Sequence, residues 1–140
     1  MRTDGFTLLE TLIGVGLAAV LAGTSVTRLV DLVWSARLAG AARTVATALR
    51  LARGQAIATD ASVEVRFDPV LGQSETWDRT ANMLLETRAL PPGVAFAALP
   101  ARNRILFGGL GTADNGTVTL ASGPWSRQVV VNQRGRVRVQ

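Results

Sequence analysis

From Phe6 to Thr27 the chain reads FTLLETLIGVGLAAVLAGTSVT, an apolar stretch broken by a single charge, Glu10. Wound as a helix at about 1.5 Å per residue, it would reach roughly 33 Å, enough to cross a bilayer's hydrocarbon core. Gly14, Gly16 and Gly23 would weaken such a helix in water, but small residues are common in membrane helices and let neighbours approach closely. Arg2 and Arg28 flank the run, too small a charge bias to set its orientation. A lone acid in a membrane helix costs on the order of 3 kcal/mol on insertion scales and marks a function or a partner. Two plainer readings compete. Glu10 lies near enough to the helix start to reach the headgroups. Alternatively the run is a secretory signal peptide, with Leu12 to Leu21 as its apolar region and Val20-Leu21-Ala22 as its cleavage site. That alternative leaves Asp4 and Glu10 unexplained, because such leaders avoid acids there.

Composition removes most catalytic chemistry. The 140 residues contain no Cys and no His, which excludes thiol nucleophiles, Cys/His zinc sites, Ser-His-Asp triads and disulfide frameworks together. The ten acids are scattered without the spacing of a calcium loop. No enzyme activity and no cofactor are expected. The net charge is +5 and all fifteen basic residues are Arg. The total absence of Lys points to a codon bias, so position along the chain matters more than Arg identity.

After Arg28 the apolar pattern becomes periodic. Trp34, Leu38, Ala41, Val45, Leu49, Ala52 and Ala56 recur at steps of three or four, one stripe of a helix, with Arg37, Arg43, Arg50 and Arg53 off the stripe. The pattern predicts a helix packed on a domain core and ending near Thr59 to Ala61, where Asp60 and Ser62 bring turn chemistry. One long helix from Phe6 to about Ala58 follows. From Ser62 the chain reads as short strands. Val63, Val65 and Phe67 alternate with Glu64 and Arg66, and further candidates cover Met83–Arg88, Val94–Ala97, Arg104–Phe107, Thr117–Leu120, Gln128–Asn132 and Arg136–Val139. Gln133-Arg134-Gly135 is read as a hairpin turn. The glycine-rich GGLGTADNG lacks both G-x-G-x-x-G and a Walker Lys, so it is read as a loop between strands and not a phosphate cradle.

The residues Gly5-Phe6-Thr7-Leu8-Leu9-Glu10 resemble the cleavage and methylation motif of type IV prepilins and secretion-system pseudopilins. The helix end Leu49-x-x-Ala52-Arg53-x-x-Ala56-Ile57, together with Ile105-x-Phe107 and Gly116-Thr117-Val118-Thr119-Leu120, resembles the GspH/FimT branch of that class. The resemblance implies an α+β pilin-like fold, a long N-terminal helix packed on an antiparallel β-sheet head. It implies a prepilin leader at 1–5, a membrane-spanning half-helix at 6–28, a soluble half-helix at 29–60 and a β-rich head at 61–140. A prepilin peptidase would cut after Gly5 and Phe6 would become the N-methylated mature N-terminus. Asp4 departs from the pattern, since a basic residue is more usual beside the cut. Partners implied are the peptidase, other pilins or pseudopilins and a membrane assembly platform. The protein would sit in the bacterial inner membrane as a single-pass protein, its head in the periplasm, and enter a periplasmic or surface filament. A free amine at Phe6 would add a positive charge to the positive end of the helix dipole. Glu10 can neutralise it, from the same helix or from an adjacent subunit.

The tail is a second candidate site. Arg127, Arg134, Arg136 and Arg138 fall within the last fourteen residues, with no acid among them. In a strand Arg136 and Arg138 share a face roughly 6.7 Å apart, a spacing that suits successive phosphates of one nucleic-acid strand. Gly135-Arg136-Val137-Arg138 resembles the basic C-terminal motif with which FimT-type minor pilins bind DNA during natural transformation. The plainer reading is a solvated edge strand whose charges discourage edge-to-edge pairing. No aromatic residue lies in the last fourteen positions, so base stacking has little support and binding would be electrostatic. Three functions are therefore in play: a filament subunit, a DNA-binding minor pilin on the same scaffold, and a secreted domain behind an ordinary signal peptide. Mass spectrometry of the mature chain distinguishes the last. N-methyl-Phe6 as first residue is expected, and Gly23 in its place would establish signal-peptide cleavage.

Overall fold

The computed structural model describes residues 7–140, apart from the side chains of residues 24–28. Helix α1 spans Leu8–Thr59. Thr7 caps its start: the hydroxyl accepts from the Glu10 amide at 3.3 Å, and the carbonyl from the amides of Glu10 and Thr11. Thr7 and Glu10 thus hold the spacing of a capping box. At the other end Asp60 adopts φ 48° and the Ala61 amide donates to the Ala56 carbonyl at 3.1 Å. This is a Schellman stop, with an aspartate serving where glycine is usual because it tolerates the left-handed region better than most residues. The expected end of the helix is borne out.

Two compact units meet in the sequence at Val33 and Trp34. In the first, every large apolar side chain from Leu8 to Leu21 is more than half exposed. Among the described residues no helix is long and apolar enough to cross a membrane. The span expected over 6–28 lies partly outside the described residues, at position 6 and at the side chains of 24–28. Its described portion, 8–23, covers roughly 24 Å, less than a bilayer core of about 30 Å.

In the second unit the predicted stripe is the buried one. Leu38, Ala41, Val45, Leu49, Ala52 and Ala56 are all covered, joined by Ala42 and Ala46. They face eight strands: β1 Val63–Asp68, β2 Gln73–Asp78, β3 Met83–Ala89, β4 Ala95–Ala98, β5 Arg104–Phe107, β6 Gly116–Ser122, β7 Trp125–Val131 and β8 Val137–Val139. The antiparallel head is divided into two four-stranded sheets, ordered β3-β2-β1-β5 and β4-β6-β7-β8. Val63, Val65, Phe67, Ile105 and Phe107 of the first sheet meet Val118, Leu120, Val129 and Val131 of the second in one cluster against α1. Phe67 and Phe96 link the sheets edge to face, centroids 5.6 Å apart. The Trp34 ring covers Gly93 (φ 82°) so closely that a Cβ there would stand 2.2 Å from a ring carbon.

Strand β2 has no counterpart among the sequence-based expectations. Its sequence, QSETWD, buries the small hydroxyl residues Ser74 and Thr76 and leaves Glu75 and Trp77 half-buried, so hydrophobic alternation gives the wrong sign. Register with β1 is continuous from Val63↔Asp78 to Asp68↔Gln73. The expected tail hairpin is present, β7 pairing with β8 through Val129↔Val139, Val130↔Arg138 and Val131↔Val137.

The hairpin turn is held to the rest of the head. Gly135 sits at φ 69°, and a Cβ there would lie 2.2 Å from the Gly111 carbonyl and 2.6 Å from Arg53 Nε. Gly135→Ala is expected to lower unfolding free energy by about 2 kcal/mol, combining left-handed strain with the backbone clash. Gly40, mid-helix and facing open space, should behave oppositely, Gly40→Ala gaining up to about 1 kcal/mol. Guanidinium unfolding of the detergent-solubilised chain checks both.

Candidate functional sites

The first site is the start of α1. Gly5 and Phe6, the expected cleavage and methylation positions, lie outside the described residues. Glu10 is described: it is exposed in the first turn, where a carboxylate is favoured by the helix dipole. Among the described residues it joins no ion pair. The structure gives it one role unaided, the third position of the cap that Thr7 begins.

The second site is the C-terminal hairpin. Asn132 closes its turn, Oδ1 accepting from the Arg136 amide at 2.9 Å and the Asn132 amide donating to the Arg136 carbonyl at 3.2 Å. The Gln133 carbonyl accepts from the Ala113 amide at 3.0 Å, tying the turn to the glycine-rich loop. Beneath it, Arg53 Nε donates to the Gly111 carbonyl at 3.0 Å and Arg50 Nη2 to the Val137 carbonyl at 3.4 Å. The GGLGTADNG segment is therefore a brace between α1 and the hairpin, its Gly111 carbonyl occupied by Arg53. Arg134, Arg136 and Arg138 are exposed, and Arg136 and Arg138 flank the buried Val137 as the alternation requires. Arg127 is not with them. It pairs with Leu120, whereas Arg138 pairs with Val130, so the two lie on opposite faces of the sheet. Arg127 also stands about 17 Å along β7 from the Arg136 end, at roughly 3.4 Å per residue. The four arginines singled out from the sequence thus become a group of three and an outlier.

A third cluster was missed by alternation. Alternation with Val63, Val65 and Phe67 puts Glu64 on the outer face of β1, yet it is 1% exposed. Arg66 from the same strand binds its Oε1, while Arg104 of β5 and Arg79 beyond β2 reach Oε2 at 3.1 and 3.4 Å. Arg66 also lies over the Trp77 ring, 5.1 Å from the centroid, and the Trp77 indole donates to Glu75 at 2.9 Å. Long guanidinium side chains from neighbouring strands close over the carboxylate, which is how an outward-facing acid becomes buried. No local signal could have found it, because two of its three partners come from positions 79 and 104.

The family profile described as Type II transport protein GspH matches residues 41–135. The chain belongs to the GspH family. The match covers α1 from Ala41 onward, the first sheet and the second sheet apart from β8; Arg136 and Arg138 lie just past its end and Glu10 well before its start. Among solved structures, the fold is similar to the type IV minor pilin FimU of Pseudomonas aeruginosa, with TM-score 0.63, 14% identity, and coverage of 74% of this chain and 87% of that one. It is similar also to the minor pseudopilin EpsH of the Vibrio cholerae type 2 secretion system, with TM-score 0.63, 17% identity, and coverage of 74% and 96%. Comparison with curated protein sequences gave no significant match. The pilin-like α+β fold is thereby established, and GspH-type minor pseudopilins are structural subunits of filaments, not enzymes.

Proposed function

We propose that the chain is a minor pilin or pseudopilin, cut by a prepilin peptidase after Gly5, N-methylated at Phe6 and held by its N-terminal helix in the inner membrane. The observation that carries this reading is the two-fold character of α1. Its later turns bury one face in the head, while the large apolar side chains of Leu8 to Leu21 are exposed all round. A helix apolar on every side needs lipid or neighbouring helices to cover it. A membrane anchor that becomes the packed stem of a filament supplies both in turn. Glu10, the one charge in that surface, then balances the amine of Phe6 on an adjacent subunit and sets the stagger between them. Other pilins and a membrane platform are the partners. With Glu10→Ala, insertion and cleavage should persist, while incorporation into filaments, read by shearing and immunoblotting, should drop about tenfold. Wild-type incorporation would remove Glu10 from the assembly contact.

A second reading is DNA binding by the same subunit. It is supported by the absence of any acid after Asp114 and by the freedom of Arg134, Arg136 and Arg138 from ion pairs among the described residues. Their mounting on a braced turn lowers the entropy lost when phosphates bind. The Arg136→Ala/Arg138→Ala double variant should flatten the log–log salt dependence of duplex binding by roughly 2. Arg127→Ala, on the other face, should leave that slope nearly unchanged. An unaltered slope in the double variant would take the tail out of the site.

A further inference from the structure

On the outer side of the first sheet lies a cleft of about 760 Å³, away from the C-terminal hairpin. Arg66, Glu64 and Arg104 line its base, the β1–β2 turn with Pro69 and Val70 forms one wall, and Arg102 and Asn103 form the other. Two of its three acids, Glu64 and Glu75, are bonded through both oxygens, and Asp68 through Oδ1. Glu64 is taken up by three guanidiniums. Asp68 accepts from the amides of Val70 and Leu71 at 2.8 and 2.9 Å, and Glu75 from Trp77 and Gln73 at 2.9 and 3.3 Å.

Its arginines are bonded less completely. Arg66 uses only Nε and Arg104 only Nη1, so the other guanidinium nitrogens of both make no hydrogen bond among the described residues. Arg102 is exposed, and its side chain makes none among the described residues. Among the described residues the unbonded polar groups of the cleft are thus mostly guanidinium nitrogens. Glu64 and the Trp77 ring hold Arg66 in place, which removes much of the side-chain entropy that binding would otherwise cost. Arg102 and Asn103 sit consecutively at φ 61° and 52°. Left-handed conformations are unfavourable in non-glycine residues, and such strain gathers at ligand clamps.

The lining residues carry three arginines against three acids, so their summed charge is near zero and offers little attraction to a polyanion. One carboxylate, by contrast, matches the fork geometry of the free guanidinium nitrogens. Val70, 90% exposed on the adjacent wall, offers apolar contact beside that carboxylate. We propose that this cleft binds a protein segment bearing one carboxylate next to an aliphatic side chain, the carboxylate on Arg66, Arg102 and Arg104 and the aliphatic group against Val70. Nothing in this site depends on Glu10, on the membrane anchor or on the basic tail.

The test is a titration of the isotope-labelled full chain in detergent micelles, followed by amide NMR. The probes are acetyl-Leu-Glu-amide, its Gln counterpart and inorganic phosphate. The Glu peptide is expected to shift amides of 66–70 and 102–104, with the Gln peptide and phosphate each about tenfold weaker. Arg102→Ala should weaken the Glu peptide about fivefold without changing the melting temperature, since the exposed Arg102 side chain makes no hydrogen bond or ion pair among the described residues. Val70→Ser should weaken the peptide and leave phosphate binding as it was. Equal binding of the Gln peptide, or unchanged affinity in Arg102→Ala, would overturn the proposal. So would shifts confined to 134–138, while phosphate binding as tight as the peptide would make this a site for free oxyanions instead.

Discussion

The head is built on the small-residue face of α1. Ala41, Ala42, Ala46, Ala52 and Ala56 are all buried, so the helix offers a nearly flat surface where a leucine-rich one would stand proud. Close packing then requires the strands to supply volume, and Phe67, Phe107, Ile105 and Leu120 do so from two different sheets. Two sheets can share one helix face because that face is shallow. The division of the head into two four-stranded sheets is a consequence of this packing, as is the inter-sheet contact between Phe67 and Phe96.

Charge follows the same division. The first sheet and its turns hold most of the acids of the head, and the four ion pairs found among the described residues all form there. The second sheet has no acid in its strands, so the surplus positive charge of the chain is displayed there and along the exposed side of α1. A balanced, internally bonded surface and an unbalanced one suit different partners. On the proposed readings the first would recognise by geometry, through donors held in place by Glu64, and the second would attract polyanions at longer range, in a manner that salt screens.

Long, strongly patterned elements are legible in the sequence. The stripe from Trp34 to Ala56, the stop near Asp60 and the tail hairpin all follow from spacing and turn chemistry, which act within a few residues of one another. Strand β2 was not legible, because its buried positions are Ser74 and Thr76 and its larger side chain, Trp77, belongs to a cation–π contact on the outer face. Burial there is set by proximity to the helix and not by the residues' own hydrophobicity. Glu64 is the same case for a site: its partners come from positions 66, 79 and 104, and no local pattern connects them.

The sequence by itself determined the apolar N-terminal run with its lone acid, the periodicity of the helix that follows it and the basic character of the tail. Those properties are carried by composition and short-range spacing, and folding cannot change them. Tertiary structure alone decided which of the basic residues act together. Strand register moved Arg127 to the face opposite Arg138, and the brace from Arg53 through Gly111 fixed the turn that carries Arg134. It also converted an alternating Glu64 into the buried centre of three arginines. The physical reason is that charge and hydrogen-bond chemistry depend on distances of a few ångströms, and strand pairing sets those distances between residues far apart in the chain.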